Sequence, residues 1–197
     1  YEGTVTQSQN TGLDEILEIR KDTNSNASVI NVSRALIKFD LTYISESVHS
    51  GLMPSSSTDP KFYLNLYDAN SSNLTTSQSL KGYPVSQSWT LGEGKFFDDP
   101  KDTEGVSWRY RHGQTDTTQW ISGSNDVGGT WYTGSGYEAS QSFEWETSDM
   151  RMDVTDVIWK WLDGTVPNEG FMIKRSGSIG NSDSNTAEGN TTKLGHF

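Results

Sequence analysis

Four carboxylates fall within seven residues in Asp98-Asp99-Pro100-Lys101-Asp102-Thr103-Glu104. Hard cations such as calcium are held by clustered oxygen ligands. Asp98, Asp99 and Asp102 are therefore the candidate calcium ligands. The run lacks the spacing and the glycine of an EF-hand loop, so a solvated acidic loop competes with the metal site. A second set is aromatic. Trp89, Trp108, Trp120 and Trp131, with Tyr110 and Tyr132, stand in glycine-rich and polar stretches. Ring faces in loops can stack on the apolar C–H face of a sugar while polar side chains bond its hydroxyls. Trp120, Trp131, Tyr132 and Arg111 are the candidate carbohydrate contacts. Trp89 and Trp108 read instead as residues that pin long loops to the fold.

Nucleophilic catalysis finds no support. The chain has no cysteine and no Gly-x-Ser-x-Gly elbow. His49, His112 and His196 are scattered among polar neighbours. With 26 acidic residues, chance pairs of carboxylates are unavoidable, so a glycosidase pair has no distinctive signature here. The expectation is a non-enzymatic chain.

Composition narrows the partners. The 197 residues carry a formal net charge of −11, which disfavours nucleic acid and anionic lipid. No apolar run is long enough to span a bilayer, so no membrane insertion is expected. Only 31% of the residues are hydrophobic, yet seven Trp, eight Tyr and seven Phe are present. Disordered chains lack such aromatics. The balance points to a sheet protein with few but large core residues and many polar turns.

The elements that must position these residues follow from periodicity. Leu13 to Arg20 reads as a strand with Leu13, Leu17 and Ile19 on one face and Glu18 and Arg20 on the other. Ala35, Ile37, Phe39 and Leu41 alternate with Lys38 and Asp40 in a second strand. Phe62, Leu64 and Leu66 define a third, and Leu80 to Val85 a fourth. Residues 89–131 are loop-rich. Val154, Val157, Ile158 and Trp161 recur at helical spacing, with Asp153 as the expected N-cap and Gly164 as the stop. One short helix is thus predicted near residues 153–163, followed by a strand at Phe171 to Ile173. The pattern implies a single all-β domain over 1–197, an antiparallel β-sandwich of jelly-roll type with roughly ten strands. Residues 176–192 are nearly all Ser, Gly, Asn, Asp and Thr and predict a mobile loop.

Several stretches, in order, resemble the DNRLRE-type module, a jelly-roll sandwich related to carbohydrate-binding modules. Ser33-Arg34-Ala35-Leu36-Ile37-Lys38-Phe39-Asp40-Leu41 is similar to its early core strand, and Phe62 to Tyr67 to the next. Trp89 with Gly92-Glu93-Gly94, then Gly105-Val106-Ser107-Trp108, is similar to its paired-Trp region. Asp153-Val154-Thr155 through Trp161-Leu162-Asp163-Gly164, then Asn168-Glu169-Gly170-Phe171, is similar to its helix and following strand. The resemblance covers about residues 13 to 175. It implies an extracellular or virion-surface location, in surface proteins, beside catalytic domains of polysaccharide-active enzymes, or in phage particles. The resemblance fixes no ligand; the expected partners are protein subunits of a larger, oligomeric assembly, with surface glycans as candidate ligands. The 89–131 loops are longer than the family's, and its closing strand is not evident before Phe197. The expectation is a fragment without its last strand, whose open sheet edge is filled by more of the chain or by a neighbour.

Overall fold

Period-two alternation builds the central strands, and in the computed structural model they pair antiparallel throughout. The structure describes residues 7–23, 30–56, 59–69, 78–121, 128–143 and 149–176. In chain order these form β1 (Lys21–Thr23), β2 (Ile30–Val32), β3 (Ala35–Ile37), α1 (Thr42–His49), β4 (Tyr63–Leu66), β5 (Gln78–Pro84), β6 (Ala139–Phe143), β7 (Met150–Asp153), α2 (Thr155–Leu162) and β8 (Phe171–Arg175). The class is all-β, with two short helices among the described residues where one was predicted.

The largest sheet has the order β3-β8-β5-β6. β4 pairs with β7, and β1 with β2. The side-chain amide of Gln141 links the four-stranded sheet to the β4–β7 pair. Its Nε2 donates to the Asp149 carbonyl (3.2 Å), and its Oε1 accepts from the Arg151 N–H (2.6 Å). A β6 side chain thus takes the place of ladder bonds along β7.

Alternation along β8 separates two apolar layers. Phe171 and Ile173 join Leu64, Leu80, Met150 and Met152 in the main core, where α2 docks. Met172 faces the other way and packs with Val85 and Trp120, beneath the long 85–131 loop layer. The four-stranded sheet is therefore covered on both faces. The predicted stripe Val154, Val157, Ile158 and Trp161 is buried against it, with Trp161 8% exposed and its ring 4.7 Å from that of Phe171. Gly164, at φ 76°, ends the helix as predicted. Val154, not Asp153, occupies the cap position. Asp153 stands one residue earlier, and its carboxylate accepts from the Thr155 N–H (3.0 Å).

Two predicted strands are shorter or absent. Residues 13–20 form no strand: Leu13 and Leu17 are exposed and only Ile19 is buried. The strand after Arg34 stops at Ile37, leaving Phe39 exposed because α1 begins soon after. The predicted polar loop beyond Ser176 and the missing closing strand lie outside the described residues. Among the described residues, no helix is long and apolar enough to cross a membrane.

Candidate functional site

The loop layer has few ladder bonds, so buried side chains must hold it. Asn10 is fully buried at its centre. Its Nδ2 donates to the carbonyls of Leu91 (2.7 Å) and Val106 (2.7 Å), while its Oδ1 accepts from Gly12 N–H (3.1 Å) and Gly94 N–H (2.9 Å). An amide has two donor hydrogens and one two-lone-pair acceptor, so its capacity is filled. The glycines around it are required by space. A Cβ on Gly94 would lie 2.6 Å from the Asn10 carbonyl oxygen, and one on Gly105, at φ 93°, would lie 2.4 Å from the Gly92 Cα.

The four candidate carbohydrate contacts are not gathered into one platform. Trp120 is 4% exposed, and its indole N–H donates to the Ser107 carbonyl (3.0 Å). It anchors a loop and offers no open face to a sugar. Trp131 is half-buried beside Tyr83 (5.7 Å between centroids), with the Arg34 guanidinium 5.2 Å and the Lys174 ammonium 5.5 Å from its ring. Tyr132 points to the opposite side, stacked on Tyr137 (5.6 Å) against the main core. Arg111 donates to the Ser88 carbonyl (2.9 Å) and the Gln119 carbonyl (3.3 Å), which stitches two loops together. Trp89 and Trp108 serve as the loop pins they were predicted to be. Trp108 is buried under Arg34 (4.5 Å), and the half-buried Trp89 donates to the Glu169 carbonyl (2.8 Å).

The acidic run is likewise engaged locally. Asp98 accepts from the Lys95 N–H (2.6 Å), closing a turn, and Asp102 accepts from the Glu104 N–H (2.8 Å). Asp99 is exposed next to Pro100. Among the described residues, no three His, Asp or Glu side chains come together as a group that could hold a metal ion, Asp98, Asp99 and Asp102 included. Next to Tyr83, Glu138 feels partial burial, which raises its pKa. Hydrogen bonds from Lys81 and the Tyr83 hydroxyl (2.6 Å) outweigh that and hold it below the usual carboxylate range.

An open apolar surface lies elsewhere. A groove of about 800 Å³ runs between residues 13–20, Leu66–Ala69 and Lys95–Phe97. Phe97 is 90% exposed, Tyr67 82% and Ile16 60%, and all three line it. Sequence reasoning misses this surface because alternation in 13–20 gives an apolar face but not what covers it. The adjacent aromatic pair Phe96-Phe97, in a loop with no strand pattern, was the available signal. The chain matches no family model, no curated protein and no solved structure.

Proposed function

We propose that this chain is a non-enzymatic structural and adhesive β-sandwich module of an extracellular assembly, such as a phage virion fibre, tail or decoration protein. The observation that carries this reading is the groove bearing Phe97, Tyr67 and Ile16. Large apolar side chains exposed together along one groove mark contact surfaces. The polar groups of the loop layer support it further. Asn10, Arg111, Asp98 and Asp102 spend their hydrogen bonds on neighbouring backbone, which suits a scaffold.

Crosslinking mass spectrometry on the native particle or surface fraction tests the reading. Lys95 lines the groove and supplies a reactive amine. Recurrent crosslinks from Lys95 to one neighbouring protein are expected. Recovery of the chain free and monomeric, without such crosslinks, overturns the reading. So does release of reducing ends from a polysaccharide panel that one carboxylate substitution abolishes.

A further inference from the structure

We infer that the groove receives a segment of a different protein in which an apolar stretch is flanked by Lys or Arg. The inference rests on the adhesive reading above and names the partner's chemistry. Leu13, Ile16, Leu17, Tyr67, Phe96 and Phe97 supply the apolar lining. About 800 Å³ is room for several side chains of an incoming segment.

The wall that carries the most exposed ring is fixed in place. The Leu13 N–H donates to the Gly94 carbonyl (3.0 Å), and the Phe96 N–H donates to the Asp14 carboxylate (3.0 Å). The buried Gln9 amide donates to the carbonyls of Lys95 (3.1 Å) and Phe96 (2.8 Å). Phe97 is thus exposed from a backbone already held on three sides. A partner that docks there does not have to order the wall first, which lowers the entropy lost on binding.

Charge selects among occupants. The groove is lined by Asp14, Glu15, Glu18 and Asp68 against Arg20 and Lys95. Arg20 is already 3.5 Å from Glu18. A second copy of this chain, itself at −11, would bring acids against acids. A neutral glycan carries no charge to complement the acidic excess. The lining keeps an acidic excess of two residues, four acids against two bases, which cationic flanks complement while the apolar centre of the segment covers the rings.

The probes are two fluorescein-labelled peptides with one shared centre of alternating Leu and Ser, flanked by Lys-Lys or by Glu-Glu. Fluorescence anisotropy is read at low and high salt with the full chain and with the Ile16→Asp and Phe97→Asp variants. Both substituted positions are exposed, and circular dichroism verifies that the variants stay folded. The Lys-flanked peptide is expected to bind about tenfold or more tighter than the Glu-flanked one. It should weaken with salt, and weaken about tenfold in each variant. Equal binding of the two peptides, binding indifferent to both variants, or no binding of either overturns the inference. Sedimentation that shows a dimer of the chain, abolished by Ile16→Asp, also overturns it and assigns the groove to a second copy. Lys95 crosslinks to a neighbour, together with peptides indifferent to flank charge, sink this inference alone; absence of the crosslinks sinks the adhesive reading.

Discussion

The two helices begin with the same three-residue motif and end in different environments. Asp40-Leu41-Thr42 opens α1 and Asp153-Val154-Thr155 opens α2. In each, the aspartate accepts from the threonine N–H two residues on, at 2.9 Å and 3.0 Å respectively. This satisfies one of the free N–H groups of a first turn. Beyond the start the helices diverge. In α2 the positions after the motif carry Val157, Ile158 and Trp161, and all are buried. In α1 the corresponding positions carry Ile44, Ser45 and Val48, and Ser47 is the only buried residue of the helix. A local motif can start a helix of eight residues, but such a length is marginal without tertiary packing. The difference shows that initiation and docking are separate instructions in this chain.

The comparison is sharpened most by Trp161. Trp161→Ala should destabilise the protein by about 3–5 kcal/mol, as large-to-small core changes do. Trp161→Phe should cost much less, because the indole N–H is buried without a partner and Phe removes that donor. Urea titration of both variants beside Val48→Ala measures the contrast. A Val48→Ala loss as large as that of Trp161→Ala would erase the distinction between the helices.

Next in size is the threonine that follows each aspartate. Thr155 is buried, and its hydroxyl oxygen accepts from the Phe62 N–H (2.9 Å) at the entry to β4. Thr155→Val leaves that N–H unpaired and should cost about 1–3 kcal/mol. Thr42 is exposed, and Thr42→Val should stay within about 0.5 kcal/mol. Thermal melts of the two variants distinguish them, and equal losses would contradict the asymmetry drawn here.

The smallest effect is on acidification. The Thr155 hydroxyl and N–H hold the Asp153 carboxyl below its usual pKa, and Thr42 does the same for Asp40. A carboxylate depressed in the folded state adds stability above its unfolded pKa, and that stability is lost as pH falls through the folded value. The melting temperature should therefore hold from neutral pH down to about 5 and drop below about pH 4. Asp153→Asn should flatten the drop more than Asp40→Asn, since Asp153 feeds a docked helix and Asp40 an exposed one. A melting temperature flat through the acid range in the parent chain would refute the assignment.

Much of the fold was legible because its signals are local. The period-two runs at Phe62 to Leu66 and Leu80 to Val85, and the helical stripe of α2, each need only their own residues to be read. α1 was not read, although its Asp-x-Thr start repeats that of α2, because Ser45 and Val48 weaken the stripe that periodicity detects. Residues 13–20 read as a strand for the opposite reason. Their alternation is genuine, but alternation does not say which face meets a core.

The candidate site divides along the same line. Composition and aromatic spacing determined that the chain is a β protein with tryptophan-bearing loops on a strongly acidic background. Only the tertiary structure decided that Trp120 is a buried anchor, that Trp131 and Tyr132 face different layers, and that Asp98 and Asp102 bond to their own loop. It also decided that Leu13, Ile16, Leu17 and Phe97 share one open groove. The physical reason is range. Strand alternation and helix caps are settled within a few residues, whereas the exposure of a ring in a long loop depends on hydrogen bonds such as those of Asn10 to Leu91 and Val106, more than eighty positions away.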